Sequence, residues 1–231
     1  MQQGRLDIQQ IKHDFRGEVA IFPQPSLVLL PDGFAPLRIF EERYVELLRD
    51  AAEDDRLVGL ALLQPGWESE YTGNPPVFPT LCIGRILQYS AHSEGKCEAL
   101  LYGIFRARLR REVAEFPYRR GEVEILDEVT GTTDAEMLAR RVRRALELVP
   151  GRKSIIGEMR RMATQLRGVD ATAGRYADAV ADASDLPPGE RYEILAEPNV
   201  LRRLDRLIEL LEQRAYADAP PIPTGTRPEL N

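Results

Sequence analysis

The sequence predicts an α+β fold, on three observations. Up to about residue 128 the apolar residues come in short β-rich runs separated by turn residues. From about residue 130 they recur with the 3.6-residue period of helices. The chain has 231 residues, 43% apolar and 29% charged, an ordinary globular composition long enough to bury a core in one large domain or two small ones. The expected division is a tail over residues 1–17, a β subdomain with one helix over 18–128, a helical subdomain over 129–214 and a disordered proline-rich tail over 215–231.

The β elements follow in order. EVAIFP, Glu18 to Pro23, is a β-rich run. Leu30-Pro31-Asp32-Gly33 is a turn, because proline presets φ at its second position and glycine suits its fourth; the chain then extends as APLRI. Next the period changes, and Phe40, Tyr44, Leu47, Leu48 and Ala51 fall on one helical face, with Glu41 and Glu42 in a first turn whose dipole favours carboxylates. LVGLALL, Leu57 to Leu63, is apolar throughout and reads as a strand buried on both faces. Gln64 to Thr80 holds four prolines and two glycines, so it is a long loop, and it carries the only tryptophan. Leu81 to His92 and Cys97 to Val113 are strands joined by the hairpin turn Ser93-Glu94-Gly95-Lys96. In the second, Phe105, Ala107 and Leu109 alternate with Arg106, Arg108 and Arg110, which predicts one apolar and one basic face. Before Gly103 both faces are apolar, which predicts a bulge there. GEVEILDE, 121–128, ends the β region.

The helices come next. Thr133 and Glu136 fit a capping box, with Leu138, Val142, Ala145, Leu146 and Val149 as the stripe and Pro150-Gly151 as the stop. A helix from Ser154 carries Ile155, Met159, Met162, Ala163 and Leu166 on one face and ends at Gly168. Tyr176, Val180 and Ala183 mark a third, and a short one starts after Pro187-Pro188. The last has Leu201, Leu204, Ile208 and Leu211 behind Pro198 in its first turn.

Charge and motifs narrow the chemistry. Lys and Arg against Asp and Glu number 15 against 21 up to residue 128 and 16 against 16 after it, so neither half has the positive excess of a dedicated nucleic-acid binder. No run approaches the ~20 apolar residues of a membrane span and the start has no secretory h-region, which makes the expected location cytoplasmic. Two cysteines and two histidines are too few for a structural zinc site or a disulfide framework, and no cofactor is expected. Phosphate-loop, H-E-x-x-H and G-x-S-x-G motifs are missing from the sequence. Cys97 and His92 lie close across the hairpin, and the reading favoured is a buried thiol beside a solvent-facing histidine. Glu41 and Glu42 point about 100° apart on a helix, so they do not jointly flank a bond. Arg106, Arg108, Arg110 and Arg111 form a local basic stretch that could hold anions; pairing with Glu122 and Glu124 on the next strand is the reading favoured.

IFP, LLP-DG, PLRIFEERY, IGRI and YGIFRARL, with RYADAVADASDLPPGERYEILAEPNVLRRLDRLIELLE further on, resemble the N-terminal substrate-binding domain of the Lon family of ATP-dependent proteases, from about Val19 to about Glu212. The resemblance implies a PUA-like pseudo-β-barrel followed by an α-helical bundle, with PLRIFEERY as the barrel's strand-to-helix corner. It carries neither the Walker-motif ATPase nor the Ser-Lys protease of Lon, so it implies a recognition module that binds exposed apolar polypeptide segments and is not an enzyme. Phe34, Trp67, Tyr71, Phe78, Phe116 and Tyr118 are the expected contact residues, since aromatics offer large contact area at modest entropic cost; folding back as a lid on the core is the competing role. A PUA-like fold also leaves RNA or nucleotide binding through the four arginines as an alternative, and a role as adaptor of a full-length Lon protease as another.

Overall fold

The structure is a computed structural model that describes residues 6–70, 73–92, 95–113, 117–131, 134–149, 151, 154–158, 161, 164 and 172–217. Six strands form one sheet: β1 (Glu18–Gln24), β2 (Phe34–Ile39), β3 (Leu57–Leu62), β4 (Thr80–His92), β5 (Lys96–Val113) and β6 (Arg120–Leu126). Their order is β2-β5-β4-β3-β1-β6, and β5 also pairs with β6. That last pairing closes β5, β4, β3, β1 and β6 into a ring and leaves β2 beside it. The length of β5, 18 residues, makes this possible: its first part pairs with β2 through Cys97 to Tyr102, its second with β6 through Arg106 to Val113.

Sequence chemistry sets the ring locally. All six residues of β3 are buried, as expected of a strand paired on both edges, with β1 parallel and β4 antiparallel. The bulge falls where the pattern indicates: Gly84 faces Gly103 and Ile83 faces Phe105, leaving Ile104 out of the ladder. Gly103 is required there, because a Cβ would lie 2.1 Å from the Leu30 carbonyl oxygen. The Leu30–Gly33 turn is closed by a 3.0 Å bond from Gly33 N–H to Leu30 O and docks on Gly103 through two backbone bonds of 2.9 Å. Alternate residues Val19 and Ile21, Leu57 and Ala61, Leu81 and Ile83, Phe105 and Val123, from all five ring strands, meet in one apolar cluster, so that cluster lies inside the ring.

Helices among the described residues include α1 (Ile8–Asp14), α2 (Glu42–Glu53), α3 (Ala135–Glu147), α4 (Ala173–Ala183), α5 (Pro188–Ala196) and α6 (Val200–Ala217), and residues 154–158 are helical as well. A second apolar cluster joins the other face of the sheet, through Ala20, Phe22, Val58 and Leu60, to Leu47 and Leu48 of α2 and to residues of α3 to α6. Core packing is therefore continuous between the β and helical regions.

Several expectations are corrected. Residues 1–17 are not all tail, since α1 forms there on an Asp7 cap whose carboxylate accepts from Gln10 N–H. Tyr44, Leu47, Leu48 and Ala51 are buried as expected, but Phe40 is 67% exposed because the helix starts after it, at Glu42. The Asp134 side chain accepts from the N–H of Glu136, while Thr133, the expected cap, lies outside the described residues. In the segment from 154, Ile156 is buried and Ile155 exposed, while Met159, Met162, Ala163, Leu166 and Gly168 lie outside the described residues. The last helix starts at Val200, with Asn199 accepting from Arg202 N–H, so Pro198 stands before it; it runs on to Ala217, and 218–231 are outside the described residues.

Candidate functional site

Helix α1 lies across one end of the ring. Its apolar side chains Ile8 and Ile11, with Leu6 before and Phe15 after, pack on the inner cluster, and Phe15 meets Phe105 edge-on at 5.6 Å. Lys12 pairs with Asp127 beyond β6 and sits 5.8 Å from the Phe105 ring centroid. Between helix and ring is a cavity of about 610 Å³. Most of its exposed wall is apolar, from Leu6, Ile8, Pro31, Ile104, Phe105 and Leu126, but charged side chains share the lining: Asp7 and Lys12 at α1, and Arg106, Glu128, Arg175 and Asp178 from β5, the end of β6 and α4. A volume and lining of this kind suit an apolar group with one polar contact.

Arg106, Glu128, Arg175 and Asp178 belong to a buried network between β5 and the helices. Arg106 donates through Nη1 and Nη2 to both oxygens of Asp178, at 3.0 and 2.5 Å, and through Nε to the Leu195 carbonyl at 3.0 Å. Arg203, wholly buried on α6, donates to Glu128 and stands 3.5 Å from Asp178, while its Nε and Nη1 find no acceptor among the described residues. Burial lowers the Arg203 pKa, opposed by Asp178 and reinforced by Arg106. Burial also acts against the Arg106 charge, but Asp178 and Glu128 outweigh it and its pKa is raised. Gly174 admits Glu128 to the head of α4, where a Cβ would lie 2.3 Å from its carboxylate. Beside this set, Asp32 accepts from Tyr102 Oη at 2.5 Å and from Arg175. The network ties the Leu30–Gly33 turn, β5, α4 and α6 together.

The family model for the substrate-binding domain of ATP-dependent protease La (Lon) matches residues 18–213. This chain belongs to the Lon substrate-binding domain family. Among curated proteins it is 25% identical to Lon protease 2 of Myxococcus xanthus over 209 residues, covering 88% of this chain and 24% of that protein. It is 24% identical, with the same coverage, to the Lon protease of Anaeromyxobacter dehalogenans. The chain thus spans about a quarter of the length of the curated relatives it matches. Among solved structures, a Lon N-terminal domain protein from Xanthomonas campestris has TM-score 0.56 at 24% identity, covering 83% of this chain and 97% of that one. The N-terminal domain of a Mycobacterium avium complex Lon protease has TM-score 0.62 at 17% identity, covering 84% and 98%. Both likenesses bear on the fold, an α+β Lon N-terminal domain.

Within this Lon domain the aromatics named from sequence do not share one surface. Phe34 packs on Tyr102 at 5.1 Å, and Trp67, on a short 3-10 turn (Trp67–Glu70), is half-buried against the inner cluster. Phe78 stacks on Tyr192 at 4.4 Å on the other face, and Tyr118 is buried, donating its hydroxyl to Asp50 at 3.0 Å. Tyr71 and Phe116 lie outside the described residues. The loop is pinned at its base by bonds of 2.8 Å from Gln64 N–H to Pro76 O and from Phe78 N–H to Leu62 O.

The arginines divide too. Arg106 is not on an exposed basic face, because the bulge at Ile104 and the closing helices put both sides of β5 in the interior there. Arg108, Arg110 and Arg111 are exposed; Arg110 pairs with Glu124 and Arg111 with Glu122, donating from Nε at 2.8 Å. At the hairpin His92 is exposed and 3.6 Å from Glu98, and burial pushes the Cys97 thiol pKa up, away from nucleophilic use. Glu41 accepts from Arg43 at 3.1 Å as part of the strand-to-helix corner. Sequence reading missed α1, Arg203 and Asp178. For α1 the spacing of Ile8, Ile11 and Phe15 behind Asp7 was the available signal.

Proposed function

We propose that this chain is a Lon-type recognition module that holds exposed apolar segments of other polypeptides and performs no hydrolysis of its own. The observation that supports the reading is the mostly apolar cavity of about 610 Å³ at the end of the ring, in a member of a substrate-binding family. The charged members of the lining are paired within the chain, Arg106 with Asp178, Arg175 with Asp32, Glu128 with Arg203 and Lys12 with Asp127, so the surface left to a ligand is mostly apolar and favours side chains shed from water over polar or anionic ligands. The RNA alternative has less support, since of its four arginines Arg106 is buried on Asp178 and Arg110 and Arg111 each have a carboxylate partner, which leaves the exposed Arg108.

The test is titration with fluorescently labelled, reduced and carboxymethylated α-lactalbumin, a permanently unfolded chain. Saturable binding at or below ~100 μM is expected, micromolar affinity corresponding to about 8 kcal/mol. A flat titration to that concentration sinks the reading, as does ATP or peptide turnover that scales with the amount of this chain.

A further inference from the structure

We infer that the ring end beneath α1 is a docking groove for an amphipathic helix of a client polypeptide, and that α1 is the chain's own occupant, displaced when a client binds. Helix α1 presents Ile8, Ile11 and Phe15, spaced i, i+3, i+7, to the inner cluster, so the groove already holds a helix with that stripe. The fit is incomplete: no residue of α1 is buried, and about 610 Å³ is left under it where a matched partner would pack at interior density. At seven residues α1 is also shorter than the ~12–15 a helix needs to persist alone, so it stays folded only while docked. The groove walls Ile104, Phe105 and Leu126 lie within the family match, residues 18–213, and α1 lies outside it. The rim sets the client's charge. Glu128 is already engaged by Arg203 and Arg106, whereas Asp127 is mostly exposed and meets only Lys12 of α1 among the described residues, so the groove takes a helix with a cation beside its central apolar residue, as Lys12 follows Ile11.

The client half of this inference rests on the recognition reading; the α1 half stands apart from it. The probe is a labelled peptide of residues 6–16, titrated into the full chain, an Ile8→Asp/Ile11→Asp double variant and a Lys12→Glu variant, with carboxymethylated α-lactalbumin in parallel. A tethered competitor acts at up to millimolar effective concentration, so releasing it in the double variant is expected to tighten binding of both probes by at least ~10-fold. Lys12→Glu, which sets a second carboxylate against Asp127 and removes no apolar side chain from the ring, is expected to act in the same direction to a smaller extent. Hydrogen exchange shows whether the ring amides stay protected while those of α1 open. Protected rings with no gain for the peptide in either variant overturn the inference. Lactalbumin binding equal in all three proteins keeps the recognition reading and overturns the groove as its site. Lactalbumin binding to none of them overturns the recognition reading and the client half together, and the peptide alone then decides the role of α1.

Discussion

Helices α1 and α2 are both short, both lie against the same β-ring, and are held in opposite ways. Helix α2 buries Tyr44, Leu47, Leu48 and Ala51, and fully burying a large apolar side chain is worth about 1.5–3 kcal/mol. Helix α1 buries none of its residues, although ordering a backbone costs about 1–2 kcal/mol per residue. One helix is therefore part of the architecture, continuous with the core that reaches α6; the other is a marginal cover on a cavity. Exposure of the same fold to solvent at one end and dense packing on the other face is the division expected of a scaffold that presents a binding end.

That division is broken most severely at the network behind β5. Asp178→Ala would remove the carboxylate that Arg106 grips through two nitrogens and leave both buried arginines only the Glu128 carboxylate among the described residues, and removing one partner of a buried ion pair costs about 3–5 kcal/mol. Urea denaturation should show a loss of that size, with α4 and α6 losing amide protection along with β5. A loss below ~1 kcal/mol would mean the helices are no better fastened than α1, and the contrast would fail.

The next effects set the two helices side by side. Leu47→Ala on α2 removes a wholly buried side chain and is expected to cost about 2–5 kcal/mol. Ile11→Ala on α1, at a half-buried position, is expected to cost under ~1 kcal/mol of global stability while speeding exchange of the α1 amides. Equal losses in denaturant would put α1 in the core and remove the basis for its displacement.

How much of this was legible in the sequence follows the same line. The strands were readable because their determinants are local: the all-apolar run of β3, the turn at Pro31-Asp32-Gly33, the hairpin at Gly95 and the bulge near Gly103; their closure into a ring, which pairs β5 with the distant β6, was implied only by the resemblance to the Lon family. The PLRIFEERY corner is where it should be, between β2 and α2, although Phe40 turns outward. The site was not readable, because it depends on elements far apart in the chain. Nothing in RRLDR tells Arg203, wholly buried, from the exposed Arg202 beside it; only the approach of Asp178 and Glu128 does. Likewise the alternation on β5 correctly marks Arg108 and Arg110 as outward, and misplaces Arg106 because α4 and α5 close over that part of the strand. The aromatic loop stood out by composition, whereas its described aromatics, Trp67 and Phe78, pack on the two apolar clusters.

The smallest effect belongs to the outer arginines, and it sharpens the comparison from the other side. Arg111 and Arg106 are five residues apart on one strand, and each donates to a carboxylate from two nitrogens. Arg111 does so at 65% side-chain exposure and Arg106 at 2%, so solvent and salt screen the first pair and not the second. Exposed pairs are worth about 0–1 kcal/mol, hence Arg111→Ala should shift the denaturation midpoint only slightly, and by less still in 0.5 M salt. A loss that exceeds ~1 kcal/mol and survives added salt would show that the outer strand face is structural in the way the inner one is, and that geometry of pairing rather than burial decides which arginines hold this fold.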